Sequence, residues 1–222
     1  MAYWIIFIGI AIASWLIQHN LTSKFEKYSQ TPIQMTGKEV AEKMLHDNGI
    51  YDVKVQSVSG KLTDHYDPTN KTLNLSDVVY NCRNVAAAAV AAHECGHAVQ
   101  HATEYSFIRL RSSLVPVVSF SSQWMQWVLL GGMLLINVFP QLLLIGILMF
   151  AMTTVFSFVT LPVEIDASRR AVNWLESAGI TNRETTPMAT GALRAAAYTY
   201  VVSALGSLAN LMYYVMIYMR RR

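Results

Sequence analysis

His93, Glu94 and His97 stand at positions i, i+1 and i+4 of the run His93-Glu94-Cys95-Gly96-His97. On an α-helix, residues four apart lie on one face a turn apart, so both imidazoles can aim a nitrogen at one point. A zinc ion accepts such nitrogens at about 2.0–2.1 Å, and catalytic sites use three protein ligands with one position left open. Glu94 is rotated by about 100° from His93 around the helix axis. It therefore borders the metal without ligating it, where it can take a proton from water. Gly96 is expected to keep the approach to the metal clear. The plain alternative is a helix that carries these residues by accident. Against it, three of the six histidines fall within residues 93–101, which composition alone rarely produces.

His101 continues the row at i+8, but eight residues along a straight helix is about 12 Å, too far to share one ion with His93. Nor does it fit His-Glu-x-x-His-x-x-Gly-x-x-His, where the last His follows a turn of the chain. It reads as a surface residue or an outer partner of the site. The third ligand must come from elsewhere, and the first charged residues after a long apolar tract are Glu164 and Asp166. Pro162 suits the start of a helix, which would put Glu164 in its first turn. An acid there could equally complement the helix dipole or pair with Arg169 or Arg170. Spacing does not choose between Glu164 and Asp166.

The elements that must hold these residues follow from pattern. A helix is expected from about Asn84 through Thr103; six of residues 86–92 are alanine, the best helix former. Upstream, Thr36-Gly37-Lys38-Glu39 is a capping box that opens a helix with Val40, Met44 and Leu45 inward and Gly49 as its stop. Val53, Val55 and Val58 alternate as a short strand before a Gly60 turn. Residues 62–66 and 72–75 flank Asp67-Pro68-Thr69-Asn70 and read as a β-hairpin. The strand at Lys71 to Ser76 could add an extended substrate at its edge, or could simply pack the domain. Candidate oxyanion donors are His65, Tyr66, Arg169, Tyr198 and Tyr200. His19 and His46 read as interface and surface residues.

Hydrophobic residues make up 53% and charged residues 14%, against a usual charged share of roughly a quarter. Residues 113–161 contain no Lys, Arg, Asp, Glu or His, which reads as membrane. A helical span takes about 20 apolar residues. Four candidates result: Tyr3 to Ile17 as an uncleaved anchor, about 115–136 and 141–161 as a hairpin broken at Asn137-Val138-Phe139-Pro140, and Tyr198 to Met219. In the last, Ser203, Gly206, Ser207 and Asn210 suggest packing on other helices; a buried helix of the catalytic unit is the other reading of this segment. Seven basic residues flank the spans on the domain side, against Arg220, Arg221 and Arg222 opposite, which favours a cytoplasmic catalytic region. A net charge of +3 without a basic stripe argues against nucleic acid as a partner. Cys82 and Cys95 give no disulfide framework and read as free thiols.

The chain is similar to membrane zinc peptidases at several motifs. His93-Glu94-Cys95-Gly96-His97, followed after a membrane hairpin by Glu164-x-x-Ala167-Ser168-x-x-Ala171, resembles the gluzincin pattern of the HtpX heat-shock proteases and the CAAX prenyl proteases. Leu62-Thr63-Asp64-His65-Tyr66-Asp67-Pro68, Val90-Ala91-Ala92-His93-Glu94 and Leu161-Pro162-Val163-Glu164 resemble the bacterial YugP-like membrane zinc peptidases, over nearly the whole chain. The resemblance implies Glu164 as the third ligand of one catalytic Zn2+. Many gluzincins carry Asp four residues after that Glu to orient a histidine; here the position is Ser168, and Asp166 faces another way.

The expectation is thus an α+β membrane protein, mainly helical, with about four transmembrane helices and a small β-sheet ahead of a zincin-like active-site helix. Its regions would be an anchor (1–19), a catalytic region (20–112), a transmembrane hairpin (113–161), a third-ligand helix and loop (162–197) and a C-terminal membrane helix (198–222). The expected function is zinc-dependent hydrolysis of peptide or protein substrates in a bacterial plasma membrane, with Glu94 as general base, in membrane-protein quality control or processing. Its rival is a non-catalytic zinc-containing scaffold or protease adaptor, which would have no use for a base beside an open metal position. A transporter would carry charges within its spans, and residues 113–161 carry none.

Overall fold

A computed structural model describes residues 2–60 and 62–220; Arg221 and Arg222 of the terminal basic cluster lie outside the described residues. The chain divides into two compact units. One comprises Ile17–Ile108 and Pro162–Tyr198, the other Met1–Leu16, Arg109–Leu161 and Thr199–Arg222.

The first unit is built around α4 (Val85–Ala102). The side chain of Asn84 accepts a hydrogen bond from the amide of Ala87 at 2.8 Å and so starts the helix. Ala88, Ala89, Ala91 and Ala92 are wholly buried, so the alanine run marks a helix surrounded on most sides rather than a surface one. α2 (Gly37–Asp47) packs on it through Val40, Met44 and Leu45, all buried. The capping box at its start is formed in both directions, with Glu39 N donating to Thr36 Oγ1 and Thr36 N donating to Glu39 Oε2. Gly49, at φ +71°, ends it in the left-handed conformation that suits glycine.

A sheet of three strands covers this core: β1 (Lys54–Val58), β2 (His65–Asp67) and β3 (Thr72–Ser76). The hairpin forms as expected, β2 antiparallel to β3, with Asp67 Oδ1 accepting from Thr69 N and Asn70 N in the turn. β1 pairs parallel to β3, giving the order β1-β3-β2. Of the two readings of Lys71 to Ser76, a substrate-binding edge or a strand that packs the domain, the sheet order fits the second. β3 is central, its Leu73 and Leu75 are fully buried, and the edges belong to β1 and β2. A short helix, α3 (Asp77–Tyr80), leads from β3 toward α4.

The second unit holds the apolar halves of long helices: α1 (Ala2–Ser29), α5 (Ser106–Leu134), α6 (Pro140–Ser177) and α7 (Thr186–Met219). Pro140 stands first in α6, where its missing N–H costs nothing. Pro162, expected at a helix start, lies inside α6 instead. An internal proline costs about 3 kcal/mol or more. The burial of Val163, Ala167, Ala171 and Leu175, one residue per turn on one face, offsets it and carries the helix onward.

Within the second unit, Leu129, Leu143 and Ile147 form the core, and Gly132 lets α5 approach the backbone of Leu143, which a Cβ would meet at 2.5 Å. Thr154 and Ser207 hydrogen-bond across α6 and α7 at 2.7 Å, as the small polar residues of the last segment suggested. Trp4, Trp15, Phe120, Trp127, Leu148 and Met212 are exposed, an apolar surface suited to lipid. Among the described residues, three helices are long and apolar enough to cross a membrane: Trp4–Ser29, Pro140–Ser177 and Thr186–Met219. α5, counted among the four expected spans, is diluted by Ser119, Ser121, Ser122, Gln123 and Gln126.

Because Asn84 satisfies one of the open amides at the start of α4, Asn84→Ala is expected to cost about 1 kcal/mol. A lowered melting temperature in detergent, with secondary structure retained, checks this.

Candidate metal centre

His93 and His97 project from successive turns of α4, their rings 4.8 Å apart and edge to face. Glu164 comes from α6 and is 3% exposed. Its Oε2 lies 3.2 Å from His93 Nε2 and 3.6 Å from His97 Nε2. One donor atom from each of the three residues falls within 4.8 Å of the other two. Two nitrogens and an oxygen, all turned to one point, are a donor set that suits zinc. The nitrogen–oxygen separations match the edge of a tetrahedron whose bonds are about 2 Å, roughly 3.3 Å. The residues present therefore fit the ion.

Two helices reach this spacing because of Gly96. A Cβ there would stand 2.7 Å from the carbonyl oxygen of Ala167 and 3.0 Å from its Cα. The glycine thus serves the contact of α4 with α6, which corrects the expectation that it clears the approach to the metal. Ala92, Ala167 and Ala171 on the two helices are fully buried.

Each histidine uses its second nitrogen on a neighbour. His93 Nδ1 lies 3.1 Å from Ser168 Oγ, so the residue four positions beyond Glu164 touches the first histidine. His97 Nδ1 lies 3.1 Å from Oε1 of Gln100, a residue that the reading of the sequence passed over. Its signal was a polar side chain three positions after His97, between Val99 and His101 on the same helix; it is fully buried. Asp166 turns away from the cluster. It accepts from Gln100 Nε2 at 3.0 Å, Arg169 Nη2 at 2.9 Å and Arg170 Nε at 2.6 Å.

Burial works against protonation of His97, but hydrogen bonding to Glu164 and the charges of Glu94 and Glu164 outweigh it and raise its pKa. Burial also pushes the Cys95 thiol well above its ordinary value, with the charge of Glu94 adding to it. Cys95 is therefore a packing residue rather than a nucleophile. Both cysteines are free. Glu94 is partly buried on the turn between the histidines and supplies none of the converging donors.

Four of the other candidates have partners of their own. His65 on β2 is exposed, with Nδ1 2.7 Å from the Thr63 carbonyl and Nε2 accepting from Asn74 Nδ2 at 3.1 Å. Its neighbour Tyr66 packs against His101, ring centres 5.6 Å apart. Arg169 pairs with Asp166 while its side chain stays 72% exposed. Arg194 Nε donates to Tyr198 Oη at 3.0 Å.

A family model described as "Putative neutral zinc metallopeptidase" matches residues 3–219. "Putative membrane protease YugP" from Bacillus subtilis (strain 168) is 42% identical over 223 residues, covering 98% of this chain and 98% of that protein. No solved structure matches the chain.

With Ala167 backbone at contact distance, Gly96→Ala must push α4 from α6. The expected cost is about 1–3 kcal/mol of stability. Thermal melting and zinc titration of the variant should show a lower midpoint and weaker binding together.

Proposed function

This chain belongs to the putative neutral zinc metallopeptidase family, and on that premise we propose that it is a membrane-embedded gluzincin-like endopeptidase that hydrolyses peptide bonds with Glu94 as general base. One observation carries the reading. Two histidines of one helix and a buried glutamate of another turn their donor atoms to a common point, beside a glutamate that ligates nothing there.

His93, His97 and Glu164 would hold the metal. A zinc ion bound by them supplies Lewis acidity toward a scissile carbonyl and lowers the pKa of a water molecule. Glu94 accepts the proton of the attacking water and passes it to the nitrogen of the leaving amine. Ser168 orients the His93 ring from behind. The exposed side chains of Arg169 and His65 are the candidates for stabilising the developing oxyanion. An extended substrate would add as a strand at the outer edge of β2, since β3 is enclosed on both sides and Tyr66 of β2 packs on α4 at His101.

In this reading α5 crosses the membrane together with α1, α6 and α7, making four spans. The basic residues Lys24, Lys27, Arg109, Arg111, Arg169, Arg170 and Arg194 then mark the catalytic side as cytoplasmic. The setting is a bacterial plasma membrane, and the role is quality control or processing of membrane proteins.

The test is zinc analysis and cleavage of a denatured test protein by the purified chain. Glu94→Gln should keep its zinc and lose about 10²–10⁴-fold in activity. Equal activity of wild type and Glu94→Gln would favour a zinc-containing scaffold or protease adaptor. Glu164→Ala should lose both zinc and activity; retention of both would place the third ligand elsewhere.

A further inference from the structure

Gln100 is a fully buried polar side chain whose every polar atom has a partner. Its Nε2 donates to the Val163 carbonyl at 2.8 Å and to Asp166 Oδ2 at 3.0 Å. Neither acceptor can donate when Asp166 is ionised, so the amide nitrogen must face them and the amide oxygen must face the other way. That oxygen, Oε1, meets His97 Nδ1 at 3.1 Å. An amide oxygen carries no proton, so the hydrogen of this bond must sit on Nδ1. In the neutral ring the lone pair is then left on Nε2, the nitrogen that points toward Glu164.

We propose that Gln100 is the positioning residue of the site: clamped by Asp166 and the Val163 carbonyl, it holds His97 in the Nδ1–H tautomer that can ligate a metal through Nε2. The clamp extends outward, because Arg169 and Arg170 both hold Asp166 in place. Freed from it, the amide could rotate through half a turn and offer N–H to Nδ1, which would place the proton on Nε2 and occupy the ligating position. His93 has no such constraint from its own neighbour. Ser168 offers a hydroxyl, which can donate or accept, so it fits either tautomer.

The proposal rests on the reading of His93, His97 and Glu164 as a metal site, and two measurements separate the two. The first is zinc affinity by competition with a chromophoric chelator. The second is the ¹⁵N shift pair of the His97 ring in metal-free protein, recorded at a pH where the ring is neutral and assigned by its loss in His97→Asn. Gln100→Met keeps the volume and removes the strong acceptor. It should weaken zinc binding about 10–100-fold and turn a single Nδ1–H tautomer into a mixture. Asp166→Asn removes one of the two fixed acceptors and leaves the Val163 carbonyl, so it should admit a smaller share of the other tautomer with a smaller loss of affinity. It decides the matter by the same readouts if Gln100→Met does not fold. A folded variant with wild-type affinity and an unmixed tautomer would overturn the proposal. Wild-type protein that binds no zinc would overturn the metal-site reading, while the tautomer populations would still judge Gln100.

Discussion

The carboxylate of Glu164 sits almost out of water between two imidazoles. Taking such a group from solvent costs several kcal/mol unless charge and hydrogen bonds are returned to it. The only route by which a residue on α6 can meet both histidines of α4 is close approach of the two backbones. Gly96 against Ala167, with Ala92 and Ala171 nearby, provides that approach. The polar cluster and the small-residue contact are therefore two aspects of one constraint.

The composition of α4 follows from its position. α2, the sheet and α6 all press on it, and the alanines between Val85 and His93 let them do so. Such a helix gains little from side-chain burial of its own, so its ends and its polar residues must be well satisfied. Asn84 closes the start, Thr103 Oγ1 donates to the Val99 carbonyl near the end, and Gln100 ties the helix to α6 in two places. The site is thus held by packing, with hydrogen bonds setting orientation.

Much of this could be read from local pattern. The histidine pair, the capping box at Thr36 and Glu39 and the hairpin turn at Asp67 all depend on residues a few positions apart, and the structure has each in place. What escaped depends on partners distant in sequence. Nothing local says that β3 would be flanked by β1, because a parallel pairing leaves no turn signal. Pro162 looked like a helix start because the burial of Val163, Ala167 and Ala171 on α4 appears only when both helices are present. Spacing could not separate Glu164 from Asp166; in the structure the first meets both imidazoles and the second meets Gln100 and two arginines. Gln100 itself was passed over because an amide carries no charge to draw notice.

The contact of Gly96 with Ala167 also bears on how this sequence can change. Glycine and alanine are the smallest side chains available, so nearly every substitution along that seam adds volume and almost none removes it. Most packed cores can drift in both directions, trading a larger residue on one side for a smaller one opposite. Here the exchange has no second half. The seam between α4 and α6 is a floor in side-chain size, and substitutions in this part of the chain are expected to be tolerated on the outward faces of the two helices.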